Sequence, residues 1–203
     1  MNIWNIQNNL SEDDNTKIEE ILINLCKYQE SRVTFLLDKN KKGVIEKFIN
    51  DIVTHHLKRL NIKDEIFIEF WFKSYCNTDT NSFHIDCDEY DKKINKSSEF
   101  NSPFLSCITY LNNNNTNPSV ITDIDKDKYK YKNFDSKLYI SLPRKMKHIT
   151  FEGGKYYHGE SKLILEESIR NILVINLWNK KPLNVPLFDF EYFIFKYSMN
   201  EEK

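Results

Sequence analysis

His84-Ile85-Asp86 sets an imidazole and a carboxylate two residues apart. Along a strand, side chains alternate with period two, so His84 and Asp86 point to one face while Ile85 points to the other. A second imidazole, His158, delivered by a distant strand, would complete three ligands on one side of a metal. Two histidines and one carboxylate on one face suit non-haem Fe(II). The positions left open let a co-substrate and dioxygen reach the ion together. Arg170, twelve residues beyond His158, stands at the start of an apolar run.

The chain that must position these groups has 203 residues, the usual size of one domain with a real core. Its 14 Phe and 11 Tyr suit a β-rich interior. A formal charge of −1 provides no global field for nucleic acid or an anionic membrane. No apolar run approaches the roughly 20 residues needed to span a bilayer. The start, Met-Asn-Ile-Trp-Asn-Ile-Gln, lacks the basic and apolar regions of a signal peptide. Cys26, Cys76, Cys87 and Cys107 have neither CxxC nor zinc-ligand spacing, so they read as free thiols in a reducing, intracellular, cytoplasmic setting.

Residues 1–62 read as a helical cover. Ser11 followed by Glu12, Asp13 and Asp14 is a helix-start signal, and Ile18, Ile21, Leu22 and Leu25 recur at helical spacing. A second helix is expected over Val44–Leu60, with Ile45, Phe48, Ile52 and Val53 as its stripe. Residues 63–180 read as short strands: Glu65 to Tyr75, Phe83 to Asp86, Leu105 to Leu111, Val120 to Ile124, Lys137 to Leu142, Ile149 to Phe151, Tyr156 to His158, Leu163 to Leu165 and Ile172 to Trp178. A polar turn over Asn77–Ser82 and a charged, mobile loop over 88–103 separate some of them. Residues 181–203 form a C-terminal extension whose aromatic stretch, Leu187 to Tyr197, suits an edge strand. Helices followed by many strands predict a single α+β domain built on a two-sheet jelly-roll core, a double-stranded β-helix.

Four landmarks then fall in a recognisable order. A strand ends in Tyr75, nine residues before His84; Ile108-Thr109-Tyr110-Leu111-Asn112 closes another; Phe151-Glu152-Gly153-Gly154-Lys155-Tyr156-Tyr157-His158-Gly159 leads into the second histidine; and Arg170 follows. From Phe67 to Trp178 the chain resembles the 2-oxoglutarate- and Fe(II)-dependent dioxygenases of the prolyl-hydroxylase-like branch. The resemblance implies that His84, Asp86 and His158 hold Fe(II) and that 2-oxoglutarate chelates it through its 2-oxo acid end. Arg170 and the Tyr110 hydroxyl would take the far carboxylate, with Tyr75 near the co-substrate or the substrate entrance. It further implies dioxygen as oxidant, ascorbate as an optional reductant, release of succinate and CO2, and hydroxylation of a substrate for which a peptide or protein side chain is the favoured class.

Two departures from that pattern stand out. Asn117-Pro118-Ser119-Val120 replaces paired glycines, and Ile172, then Val174, stand where a small hydroxyl residue often assists the carboxylate; Lys137 and Asn176 are candidate substitutes. Other chemically suggestive residues have plainer readings. His148 reads as a strand histidine, and His55-His56 are adjacent on a helix and so cannot share a metal face. Cys87 reads as a core thiol, Asp88 and Glu89 as a solvated turn. The run Lys126 to Lys132 could suit nucleic acid, but Asp123, Asp125 and Asp127 dilute it. Two alternatives stay open: a non-catalytic jelly-roll binding module, and a cupin-like metalloenzyme that does not use 2-oxoglutarate. The sequence gives no oligomeric state.

Overall fold

Along the chain, the computed structural model has β1 (Asn2–Asn5), α1 (Glu12–Tyr28), β2 (Phe35–Leu36), α2 (Val44–Leu60), β3 (Phe67–Cys76), α3 (Glu89–Asn95), β4 (Leu105–Tyr110), β5 (Ser119–Thr122), α4 (Lys126–Lys130), β6 (Leu138–Ser141), β7 (Lys147–Phe151), β8 (His158–Glu160) and β9 (Ile169–Trp178). It describes residues 2–5, 12–28, 33–76, 83–95, 100–113, 117–130, 135–161 and 169–191. Both helices expected from apolar spacing are present. Ile18, Leu22 and Leu25 of α1 are buried, as are Ile45, Phe48, Ile49, Ile52 and Val53 of α2. Asn61 closes α2 in the left-handed conformation, φ 53°, its N–H reaching back to the last carbonyls.

The strands form two antiparallel sheets, one of six strands in the order β1-β7-β4-β9-β3-β2 and one of three in the order β6-β5-β8. Alternation then divides the core in two. On the helix side, Phe70 and Phe72 of β3, Cys107 of β4, and Leu173, Ile175 and Leu177 of β9 pack with α1 and α2. On the other side, Trp71, Ile108, Tyr110, Ile149, Phe151, Ile172 and Val174 cluster with Ile121 of the small sheet. Strand β9 is buried on both faces, which explains the apolar run Ile172 to Ile175 at its centre.

Several expectations need correction. Residues 1–62 are not purely helical: β1 pairs with β7 and β2 with β3, both in the large sheet. The stretch 88–103 is not simply a loop. Asp88 accepts hydrogen bonds from the Tyr90 and Asp91 N–H groups (3.1 and 3.0 Å), which caps α3, and from the Leu183 N–H (2.6 Å). It is therefore buried rather than solvated. Lys126–Lys130 is a short helix. His158 opens β8 instead of ending a strand. Phe83–Asp86 contributes a single bridge, His84 to His158. The tail adds one parallel bridge, Leu187 to Leu36, with Phe188 packed on Phe35 and Phe70. Ser11, 77–82, 162–168 and 192–203, on which other expectations fell, lie outside the described residues. Among the described residues no helix is long and apolar enough to cross a membrane.

His56 of α2 and His148 of β7 meet between helix and sheet, their Nε2 atoms 2.8 Å apart, and Thr109 Oγ1 lies 2.8 Å from His148 Nδ1. Cys107 Sγ stands close enough to make a three-donor cluster with them. Two ligands of a tetrahedral zinc at about 2.1 Å would sit roughly 3.3 Å apart. The shorter contact is that of a hydrogen bond between neutral rings. Burial pushes His56 down to about 4 and His148 down to about 3, and raises the Cys107 thiol well above its usual range. In the unfolded chain both imidazoles titrate near 6.5. Between about 4 and 6.5 the unfolded state therefore binds more protons, so the stabilisation is full above 6.5 and is lost as the pH falls. Denaturant midpoints taken from pH 7.5 to 4.5 should drop steadily. His148→Gln should flatten that slope and cost about 1–3 kcal/mol at pH 7.5 through the unmet hydrogen bond. An unchanged slope in the variant would assign the acid sensitivity to other groups.

Candidate metal centre

The metal-ligand geometry starts from a backbone pairing. His84 and His158 exchange both of their main-chain hydrogen bonds, N–H to O at 2.9 Å in each direction, so the two residues lie directly opposite one another. Residues so paired project to the same side of the sheet, and the two imidazoles stand with centroids 4.5 Å apart. Two residues on, Asp86 donates its N–H to the Gly153 carbonyl at 2.9 Å. This keeps the segment from 84 to 86 beside the turn that precedes β8.

The Asp86 carboxylate then meets both rings. Oδ1 is 3.5 Å from His84 Nε2 and 3.5 Å from His158 Nε2. Oδ2 accepts a 2.7 Å hydrogen bond from Ser106 Oγ on β4. Burial alone would raise this carboxyl, but the His158 charge and hydrogen bonds from His158, His84 and Ser106 outweigh it. Asp86 is held well below the usual carboxylate range and stays ionised. His158 Nδ1 lies 3.0 Å from the Tyr156 carbonyl, which can only accept. Nδ1 therefore carries a proton, which leaves Nε2, the nitrogen facing Asp86, as the atom that would bind a metal. Phe151 packs edge-on against the His158 ring, 4.7 Å between centroids.

This donor set fits Fe(II): two imidazole nitrogens and one ionised carboxylate, with all ligand atoms within 4.8 Å of one another. The His84 side chain is 45% exposed while His158 is 9% and Asp86 13%, so the site opens to solvent on the His84 side. Cys87 points away from it; its thiol donates to Glu89 at 3.3 Å and is half-buried rather than a core group. Burial, then Glu89, pushes that thiol up to about 11.

Arg170 occupies the inter-sheet interior with none of its side chain exposed. It donates to Ser119 Oγ at 2.7 Å, lies 3.1 Å from Glu160 Oε1, and sits 5.2 Å from the Tyr110 ring centre. Tyr110 donates to the same Ser119 oxygen at 2.8 Å, with the Ser141 carbonyl at 3.1 Å. Tyr110 is thus brought to Arg170. Tyr75 pairs with Arg170 in the β3–β9 register; its side chain lies outside the described residues. Lys137 is exposed, whereas the Arg170 cluster is buried. Asn176 stands on the same face as Arg170 but is paired opposite Ser106, three alternate positions along β9.

Three participants escaped the sequence reading: Ser106, Ser119 and Glu160. Ser119 lies inside the stretch that departs from the glycine pattern, and it supplies from the second sheet a hydroxyl that Ile172 lacks. Glu160 could have been found by period two, since it follows His158 by two residues on β8 and so shares its face.

No protein-family model matches the chain, and no curated protein matches it in sequence. Solved structures do. They include a prolyl-4-hydroxylase from Pseudomonas putida, at 11% identity and TM-score 0.54, over 88% of this chain and 93% of that one. HygX from Streptomyces hygroscopicus, crystallised with nickel and 2-oxoglutarate, is 10% identical at TM-score 0.55 over 87% of this chain and 82% of that one. SnoN, a non-haem alpha-ketoglutarate-dependent epimerase from nogalamycin biosynthesis, is 10% identical at TM-score 0.54 over 93% and 91%. The chain shares the fold of these enzymes.

The hydrogen bond from Ser106 and the closeness of Gly153 both bear on Asp86, a candidate ligand. A Cβ on Gly153 would collide with Ser106 Oγ and fall 2.6 Å from Asp86 Oδ2. Ser106→Ala should weaken Fe(II) binding by about 10–100-fold, the usual cost of losing a group that orients a ligand. Gly153→Ala should weaken it at least as much. Anaerobic Fe(II) titration of each folded variant, checked by thermal unfolding, reads this directly; wild-type affinity in both would remove Ser106 and the Gly153 turn from the metal centre.

Proposed function

We propose that this protein is an Fe(II)- and 2-oxoglutarate-dependent dioxygenase. Its two sheets would form the double-stranded β-helix of that enzyme class, and His84, Asp86 and His158 would hold the iron. The observation that carries the reading is the convergence of these three donors, one of them kept ionised, a short way from a buried guanidinium. His158 and Glu160, which meet the two ends of this arrangement, are two strand residues or about 7 Å apart. When bound, iron and 2-oxoglutarate supply the oxidising chemistry, with succinate and CO2 as co-products. The chain's own part is to fix the metal ligands, to present Arg170 and Tyr110 to the co-substrate, and to keep the Arg170 side dry.

The substrate side is the open one. Phe83, beside His84, is 45% exposed, and Tyr90 and Ile94 of α3 are 46% and 56% exposed. We infer a bulky substrate laid across these residues, a peptide or protein side chain being the class that fits. A second reading, a metalloenzyme that does not use 2-oxoglutarate, is favoured by one observation: Arg170 already meets a carboxylate, that of Glu160.

Anaerobic addition of Fe(II) and millimolar 2-oxoglutarate should produce the visible charge-transfer band of the chelate. Asp86→Ala should abolish it, because one imidazole pair without the carboxylate cannot complete the facial site. Metal binding with no such band at any co-substrate concentration would overturn the 2-oxoglutarate assignment and leave the second reading.

A further inference from the structure

The buried cation of this site has a resident anion. Glu160 Oε1 lies 3.1 Å from Arg170 Nη1, and the two side chains are 7% and 0% exposed. Nη2 is taken by Ser119 Oγ at 2.7 Å. The β5–β8 register explains the contact: Ser119 pairs with Glu160 and Ile121 with His158, so all four project from one face of the small sheet toward β9. Ser119, Tyr110 and the Ser141 carbonyl give the pair polar company, while Ile121 and Ile172, the next residues on the same faces of β5 and β9, belong to the apolar cluster with Ile108, Val174 and Trp71.

A second carboxylate brought to Arg170 would therefore place two negative charges on one guanidinium in a water-poor setting. Close like charges away from water repel strongly, and an ion taken out of water without a partner of its own is costly. Glu160 must leave the guanidinium before a dicarboxylic acid can use it, and its departure returns that cost. A 2-oxo acid whose tail carries no charge meets no such competition, and its tail finds apolar walls.

Resting on the Fe(II)/2-oxoglutarate reading above, in which a 2-oxo acid chelates the iron, we propose that Glu160 determines co-substrate selectivity. It stands where the far carboxylate of 2-oxoglutarate would, weakens the binding of that diacid, and favours 2-oxo acids with a short uncharged tail.

The test compares 2-oxoglutarate with 2-oxopentanoate, the same five-carbon chain with a methyl in place of the second carboxylate. Each is titrated anaerobically into the Fe(II)-loaded full chain. The readouts are the charge-transfer band and the shift in thermal unfolding temperature. The wild type should bind 2-oxopentanoate at least as tightly as 2-oxoglutarate. Glu160→Gln, which keeps the shape and a hydrogen-bonding oxygen, should move the affinity ratio toward 2-oxoglutarate by at least tenfold. Adding Arg170→Gln to that variant should cancel the shift, since the gain acts through the guanidinium. A wild type that prefers 2-oxoglutarate by tenfold or more overturns the proposal while leaving the enzyme reading intact, and this arm decides even if the variants do not fold. An unchanged ratio in folded Glu160→Gln overturns it likewise. Iron binding with no band from either acid, in wild type and variant alike, overturns the enzyme reading and this proposal together.

Discussion

Nine residues of β9, Arg170 to Trp178, run buried through the middle of the protein, and the parity of each decides which interior it enters. Asn171, Leu173, Ile175 and Leu177 go to the helices; Arg170, Ile172, Val174, Asn176 and Trp178 go to the space between the sheets. A slip of one residue would send Arg170 into the apolar core under α1 and α2, where Leu22, Leu25 and Ile49 leave it no counter-charge. The burial of one guanidinium thus fixes the register of the central strand. Through its pairings with β3 and β4, that register places Tyr110 opposite Ile172.

The same charge joins the two sheets. Ser119 and Glu160 come from the small sheet and Tyr110 from the large one, and all three converge on Arg170 or on the oxygen bound to it. A buried ion pair is weak evidence for stability, because desolvation offsets much of the attraction; removing one member is what costs several kcal/mol. The cluster is better understood as a device of alignment. It holds β5 and β8 over β9, and β8 carries His158. Ser106 does the same for the metal face: a hydroxyl on the large sheet reaches the carboxylate of a segment tied to the small one. The site is therefore made across the sheet–sheet interface, with donors from both sides.

The helix side shows a different solution to buried polarity. His56 and His148 were each read in the sequence as unremarkable, and each is, taken alone. Together they bond to one another within the core between helix and sheet, and Thr109 lies against the outer nitrogen of His148. Neutral rings make this tolerable, and the downward shift of both follows from burial first. The adjacency of His55 and His56 says nothing of a partner 92 residues away.

Local chemistry was legible in the sequence. Apolar spacing located α2 at Val44–Leu60 and the buried face of α1, and β-branched and aromatic runs located β3, β4 and β9, because these patterns act within one element. Period two and ligand type identified His84, Asp86 and His158 as a set. What the sequence could not decide was anything set by register between distant strands. The placement of His84 opposite His158, the hydrogen bond from Ser106 to Asp86, and the meeting of Ser119, Glu160 and Arg170 each depend on which residues stand opposite, and a shift by one would undo them. The segment 88–103 shows the same limit: Asp88 looked solvated because its partner Leu183 N–H lies 95 residues away. Residue identity thus determined which groups could bind a metal and an anion. Only the tertiary structure decided that Arg170 already meets a carboxylate, that of Glu160, because a buried charge is neutralised by whatever the fold brings within reach.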